Sequence, residues 1–417
     1  MLPEGWCHNK LSEVVSPGRK ISYGIVQPGV HSPDGIFLIR GRDYSFGWAA
    51  ADDFFRVSRE IDHPYRRSKV QPNDLLLTIV GAGTGNVAIV PAWLDGANIT
   101  QTTARVSVDA SRFDYRFIKA LLESGIGQQL VYHFIKGGAQ PGLNIGDVEI
   151  FSFLIPPLPE QRAIADILST WDQAIVTVEK LIANARAQKR AMMQQLLTGK
   201  ARLPGYADPW VRAKFSTVFD RIRRKNKVGS TNVLTISAQQ GLISQRDYFN
   251  KNVASDNVVG YTLLHRGDFA YNKSYSHGYP MGAIKPLERY ETGIVSSLYI
   301  CFALANNQFD HGYFRHFFES GCFDREIYAI AQEGARNHGL LNVSVVDFFH
   351  AWLTVPPKAE QVAIAERINA AEAEANAFAV LAAELRQEKA ALMQQLLTGK
   401  RRVKIDASIN TLEEAPA

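Results

Sequence analysis

The sequence predicts an α+β multidomain protein. Two mixed α/β globular domains are separated by two long helices that form an antiparallel coiled coil, with a pseudo-two-fold internal repeat. Three observations predict this. Residues 191–200 (AMMQQLLTGK) return 200 positions later as ALMQQLLTGK, and PPLPEQRAIA at 156–165 returns as PPKAEQVAIA at 356–365. Apolar residues within the repeated parts step by four and three. The parts between them also match, more faintly. A period of 200 residues far exceeds the roughly 20–50 of small solenoid repeats, so a whole domain with its helix is duplicated.

The helices come first. From Pro159 to Leu197 the apolar positions are Ile164, Leu168, Trp171, Ile175, Val178, Ile182, Ala185, Met192 and Leu196, with Lys189 in the same stripe. The second copy runs Ile364, Ile368, Ala371, Ala375, Phe378, Ala382, Leu385, Lys389, Leu392 and Leu396. A stripe held for more than four heptads is a coiled-coil signal. Pro159 fits a first helical turn, Glu160 complements the positive end of the helix dipole, and Gly199 suits a left-handed cap. Each helix then extends for roughly 57 Å at ~1.5 Å per residue. Trp171 aligns with Ala371 and Ala185 with Leu385, a large–small alternation that suits paired helices. The first helix leaves one globular domain and the second starts at the other, so pairing within the chain must be antiparallel. The expected layout is domain one over 1–155, a helix over 156–200, domain two over 201–355, a helix over 356–400 and a tail over 401–417.

The globular domains align at several landmarks. FDYRFIKALLESG (113–125) matches FDHGYFRHFFESG (309–321), and DLLLTIVG (74–81) matches DFAYNKS (268–274) in position. Strand-like RVSVD (105–109) matches SLYICFAL (297–304), and Trp6-x-x-x-Lys10 matches Trp210-x-x-x-Lys214. Each domain ends in a glycine-containing loop and a strand. The helices stayed alike while the intervening loops diverged, and loops on a rigid scaffold are where recognition usually sits. Two different targets are therefore expected.

Composition narrows the classes. Hydrophobic residues make up 46% and charged residues 21% of the chain, ordinary for a water-soluble protein. No apolar run approaches the ~18 residues of a membrane span, and the start MLPEGWCHNK lacks a secretory pattern, so a cytoplasmic protein without a membrane partner is expected. Cys7, Cys301 and Cys322 are too scattered for a disulfide framework or a metal pair. Domain one is neutral and domain two carries a net charge of +4. A basic second domain fits a polyanionic partner.

Catalytic motifs are weak. Gly81-Ala-Gly83-Thr-Gly85 follows an apolar strand, as a nucleotide or S-adenosylmethionine loop would. Such a loop must lead into a helix, however, and VAIVP reads as the second strand of a hairpin. The Pro-Pro pairs at 156–157 and 356–357 lack the polar and aromatic neighbours of an amino-methyltransferase and punctuate helix starts instead. No phosphate-binding GKS/T loop and no H-x-x-x-H zinc pair occurs. The chain is expected to be non-catalytic, with no metal site.

Basic and polar clusters carry the binding expectation. In domain one Arg56, Arg59, Arg66, Arg67 and Lys69 surround only Glu60 and Asp62. In domain two Arg221, Arg223, Arg224, Lys225 and Lys227 crowd one segment. Cations of this kind hold phosphates and position a reader on DNA, although a solvated basic face would use the same residues. Lys273, Tyr275 and His277 lie in a polar, aromatic loop matched in position by Thr84 to Asn86. Lys136 to Gln140 and Arg336, Asn337 and His338 occupy equivalent loops before the last strand. These side chains have the donors and acceptors for base edges, and turn formation would also account for them.

Taken together, PPLPEQRAIA, QQLLTGK, their recurrence after a globular domain, Leu-Pro-Glu-Gly-Trp at 2–6 and Gly-Ala-Gln-Pro-Gly-Leu-Asn at 138–144 resemble the specificity subunit of type I restriction-modification enzymes. The resemblance covers nearly the whole chain. It implies two target-recognition domains that each bind one half of a split double-stranded DNA sequence, with an antiparallel coiled coil fixing the spacing. It also implies two modification subunits that hold S-adenosylmethionine, so no cofactor on this chain, and restriction subunits as further partners. The second copy departs from the pattern: Lys358-Ala359 replace Leu158-Pro159 and Val362 replaces Arg162, so contacts to the two modification subunits can differ. The main alternative is a stand-alone S-adenosylmethionine-dependent DNA methyltransferase using Gly81–Gly85. A coiled-coil scaffold with no DNA role is a third.

Overall fold

The computed structural model describes residues 3–137, 142–237, 240–249, 258–276, 278–331 and 341–404. The chain divides into two compact units, Met1–Val178 with Val380–Ala417, and Glu179–Ala379.

The first unit is built on a four-stranded antiparallel sheet in the order Ser22–Tyr23, Thr103–Val106, Leu75–Thr78, Val87–Ile89. The central strand Leu75–Thr78 is buried throughout, which its unbroken apolar run requires. Val87–Ile89 pairs back onto it, so the glycine segment between them is the predicted hairpin connection. A three-stranded sheet, Phe55–Val57, Ile36–Ile39 and Asn98–Ile99, includes one parallel pair. Helices Tyr115–Glu123 and Gly125–Phe134 cover the core, and Ser152–Ile155 closes the unit by pairing with Cys7–Lys10.

The second unit repeats this plan. Its four-stranded sheet runs Phe219–Arg221, Ile300–Leu304, Phe269–Asn272, Ala283–Pro286, and Trp352–Val355 pairs with Val211–Lys214. The three-stranded sheet gives way to two separate pairs, Leu234–Ser237 with Gly241–Ser244 and Thr262–His265 with Thr292–Val295. The core is an aromatic cluster. Fully buried Phe215 has Phe219, Phe348 and Phe302 within 4.6, 4.8 and 4.9 Å between ring centroids.

The long helices span Leu158–Leu196 and Lys358–Leu396. In the first unit the early half of one lies against the late half of the other: Ile164 and Leu168 share a core with Leu396 and Leu397, and Lys389 reaches Asp172 at 2.5 Å. In the second unit Ile364 and Ile368 share a core with Met193, Leu196 and Leu197, and Lys189 binds Glu372. Both pairings are antiparallel. Of the predicted stripe, Ile164, Leu168, Val178, Leu196, Ile364, Ile368 and Leu396 are buried. Trp171, Ile175, Ile182, Met192, Phe378, Leu385 and Leu392 are half-buried. Two details differ from expectation. Leu197, Leu397 and Met193 are buried although the stripe omits them, because the last helical turn also faces the domain core. Trp171 shares a groove with Ala391 and Leu392, since an antiparallel pair does not set repeat counterparts opposite each other.

The repeated motifs work as fasteners. Glu160 is almost fully buried and accepts from Trp6 Nε1 (3.1 Å) and from Arg402 (2.7 and 2.9 Å). Glu360 accepts from Trp210 Nε1 (3.1 Å) and Arg202 (2.6 and 2.7 Å). A role as dipole partner was legible, but this closure was not. Next in sequence, Gln161 accepts the Asp114 amide (2.9 Å) and donates to Pro156 O (2.8 Å), while Gln361 accepts the Asp310 amide and donates to Pro356 O (both 2.8 Å). Asp114 and Asp310 in turn cap helices Tyr115–Glu123 and His311–Glu319. Gly199 and Gly399 end the long helices at φ 71° and 69°, where only glycine is unstrained.

Candidate nucleic-acid interface

At one edge of each four-stranded sheet lies a basic recess. In the second unit it is about 420 Å³ and is lined by Arg221, Arg223, Lys225 and Lys273 with Thr262, Tyr299 and Cys301. Four residues from two segments of the chain, all expected from sequence, are thus brought together. Arg221 ends the edge strand Phe219–Arg221. Lys225 Nζ donates to Gly260 O (2.9 Å) and Lys273 Nζ to Val343 O (3.2 Å). Arg224 instead binds Asp268, which also accepts the His265 amide at 2.6 Å. Burial pushes the Asp268 carboxyl above its usual range, with the amide and Arg224 acting against the rise.

The first unit has its recess at the equivalent edge, about 470 Å³ and lined by Arg19, Lys20, Ser22, Tyr23, Arg66, Arg67 and Arg105. Three details establish the equivalence. Ile145 and Val345, 200 positions apart, each line their recess. Arg19 binds Asp74 (2.7 Å) as Arg224 binds Asp268. Arg105 pairs with Leu76 where Cys301 pairs with Ala270. Arg66 and Arg67 were expected from sequence. Arg19, Lys20 and Arg105 were not, because they are isolated in sequence and only the sheet collects them.

The remaining expected residues scatter. Arg56 stacks its guanidinium over Phe37 (4.2 Å), Arg59 is exposed on the turn of helix Arg59–Asp62, and Lys69 is held by Asp62 (2.8 Å) and Gly96 O (3.3 Å). Lys136 pairs with Asp147 (3.1 Å), while Lys227 and Tyr275 are exposed. Thr84 donates to Gly81 O (2.7 Å) within the hairpin connection, and Asn86 is exposed beside it. Gln140, His277, Arg336, Asn337 and His338 lie outside the described residues. The Gly81–Gly85 segment leads into a strand, and Gln128 Nε2 donates to Gly85 O (3.1 Å).

A further recess of the second unit, about 730 Å³, gathers Arg186, Arg190, Lys285, Arg289 and Arg315 around Glu319 and Glu372. His316 on its wall is 1% exposed and hydrogen-bonds Asn369 (2.7 Å). Burial lowers the His316 pKa and nearby Arg315 and Lys189 lower it further, against the Asn369 bond and Glu372. Among the described residues no cluster of His, Cys, Asp and Glu could hold a metal ion. Among them, too, no helix is long and apolar enough to cross a membrane.

Comparison with known proteins agrees with this architecture. Residues 59–185 match the family model of the type I restriction modification DNA specificity domain. The specificity subunit of the type I restriction enzyme EcoBI from Escherichia coli is 32% identical over 197 residues, 47% of this chain but only 41% of that subunit's length. In fold, the type I restriction-modification S subunit from M. genitalium aligns with TM-score 0.53 at 13% identity, covering 95% of this chain and 98% of its own. A chain from a structure on complex assembly and conformational transition of the type I R-M system aligns with TM-score 0.57 at 16% identity, covering 96% and 100%. Part of the sequence thus resembles the specificity subunits of type I restriction-modification systems, and the chain shares the fold of the solved S subunits.

Proposed function

We propose that this chain selects the DNA for a type I restriction-modification complex and performs no chemistry itself. Each globular domain binds one half of a bipartite, asymmetric double-stranded target. The paired long helices set the distance between half-sites and dock two modification subunits, which hold S-adenosylmethionine; restriction subunits complete the complex in the cytoplasm. The observation that carries this reading is the duplicated sheet with a basic recess at the same edge in both units but lined by different side chains. Cations at a fixed place supply sequence-independent phosphate affinity, and diverged loops around them supply different base contacts.

Exchanging residues 201–355 for the matching domain of another specificity subunit, then mapping methylation with modification subunits present, tests it. One half of the recognised sequence should change and the other persist. A change in both halves rules out modular reading. Methyl transfer to DNA by the purified chain with S-adenosylmethionine alone would show that the chain is an enzyme.

A further inference from the structure

We propose that the recess beside Ser22–Tyr23 in the first unit is a seat for a phosphate group, with Arg105 on its floor and Lys20, Arg66 and Arg67 on its rim. The charge balance points to it. Arg19 is neutralised by Asp74, but Arg105, 2% exposed, has no carboxylate bound to it among the described residues. Its Nη1 and Nη2 donate to the backbone carbonyls of Lys69 (3.0 Å) and Lys20 (2.9 Å), which fix the guanidinium plane, and its Nε has no partner among the described residues. A buried cation without a counterion is expensive to keep. Burial, the largest influence, together with the Arg19 charge lowers the pKa of this arginine to about 10 despite Asp74.

Lys20 and Arg67 are exposed at the rim and Arg66 rests on His63, so an anion entering there would meet four cations that no carboxylate neutralises among the described residues. A guanidinium fork suits an oxyanion better than an ammonium does. Duplication supplies a second observation. The second unit keeps a basic rim at this edge, although Cys301 stands where Arg105 does and the rim residues come from other segments. The feature common to both copies is positive charge around the opening, not any one residue.

The phosphate could come from a DNA backbone or from a free anion, and the first source rests on the DNA-selecting role proposed above. Arg105 sits inside the sheet, so its replacement endangers the fold; the exposed pair is varied instead, as Arg66→Ala with Arg67→Ala in the full chain. Inorganic phosphate, compared with chloride at equal ionic strength, should raise the melting temperature of the native chain and not of the variant. For duplex DNA, the slope of log affinity against log salt should become shallower by roughly 1–2 in the variant, one unit per lost phosphate contact. Loss of the phosphate response with a shallower slope identifies a backbone phosphate; loss of the response with an unchanged slope identifies a free anion. No phosphate-specific stabilisation of the native chain overturns the seat, whatever the DNA slope. If the native chain binds no DNA, the DNA-selecting role falls while the phosphate melts still decide the seat.

Discussion

Gln161 and Gln361 offer the sharpest test of how the duplicated helices grip their domains. Each side chain is 1% exposed; its bond to the proline carbonyl is buried, and its bond from the aspartate amide is part-buried. Gln361 makes two bonds, from the Asp310 amide and to Pro356 O. Gln161 makes three, because its Nε2 also donates to Arg112 O (3.2 Å). Leaving a buried polar group unpaired costs about 1–3 kcal/mol. Gln361→Ala strands two groups and should cost roughly 2–4 kcal/mol, and Gln161→Ala should cost about 1 kcal/mol more. The effect is local. The freed amides are those of the residues capping the next helices, so hydrogen exchange at Asp310 should quicken in Gln361→Ala while Asp114 is unchanged, and the reverse in Gln161→Ala. Glu at 361 keeps the acceptor for the Asp310 amide but loses the donor to Pro356, so it should fall between Gln and Ala. Unaltered exchange at Asp310 in Gln361→Ala would refute the fastening role, as would a smaller cost at 161 than at 361.

Three further outcomes are expected. Inserting four residues after Val178 and after Val380 lengthens each helix by about 6 Å, equivalent to roughly two base pairs; methylation mapping should show wider half-site spacing with both half-sequences kept, and unchanged spacing would remove the ruler role. His316 has a folded pKa below its ordinary value, so the unfolded chain takes up the proton that the folded chain resists; this contribution to stability is complete at neutral pH and is lost as pH falls below about 6.5. His316→Gln should flatten part of that slope in urea titrations between pH 7 and 5, with His311, lowered in the same sense chiefly by burial, supplying more of it; an unchanged slope would rule out the titration. Glu360→Ala deprives Trp210 Nε1 and Arg202 of their acceptor and should red-shift tryptophan emission and speed proteolysis between 200 and 210, whereas native emission and cleavage would mean that the fastener is dispensable.

What could be read from the chain followed from how local each signal is. The 3–4 stepping exposed both long helices to within about four residues at either end, because a stripe is a property of neighbours on one helix. The hairpin after Leu75–Thr78 was legible for the same reason: β-branched residues directly after glycine cannot start a helix as readily as a strand. Asp114 and Asp310 aligned visibly, yet their link to Gln161 and Gln361 spans 47 and 51 positions and left no periodic trace. The first recess was half legible. Arg66 and Arg67 are adjacent, but Arg19 and Arg105 come together only through the pairing of Ser22–Tyr23 with Thr103–Val106. A long-range β-pair carries no sequence signature of its own.

The duplicated chain also shows what resists change and why. Of the residues that match between copies, Trp6 and Arg402 donate to buried Glu160 as Trp210 and Arg202 donate to Glu360, while Gln161 and Gln361 hold the amides of Asp114 and Asp310. Altering any one strands its partners, a penalty that no single second change repairs. Arg105 and Cys301 occupy one position in the sheet and differ completely, because each faces a recess in which its neighbours can vary independently. On the DNA-selecting role proposed above, the search for base-contacting residues belongs around the two recesses.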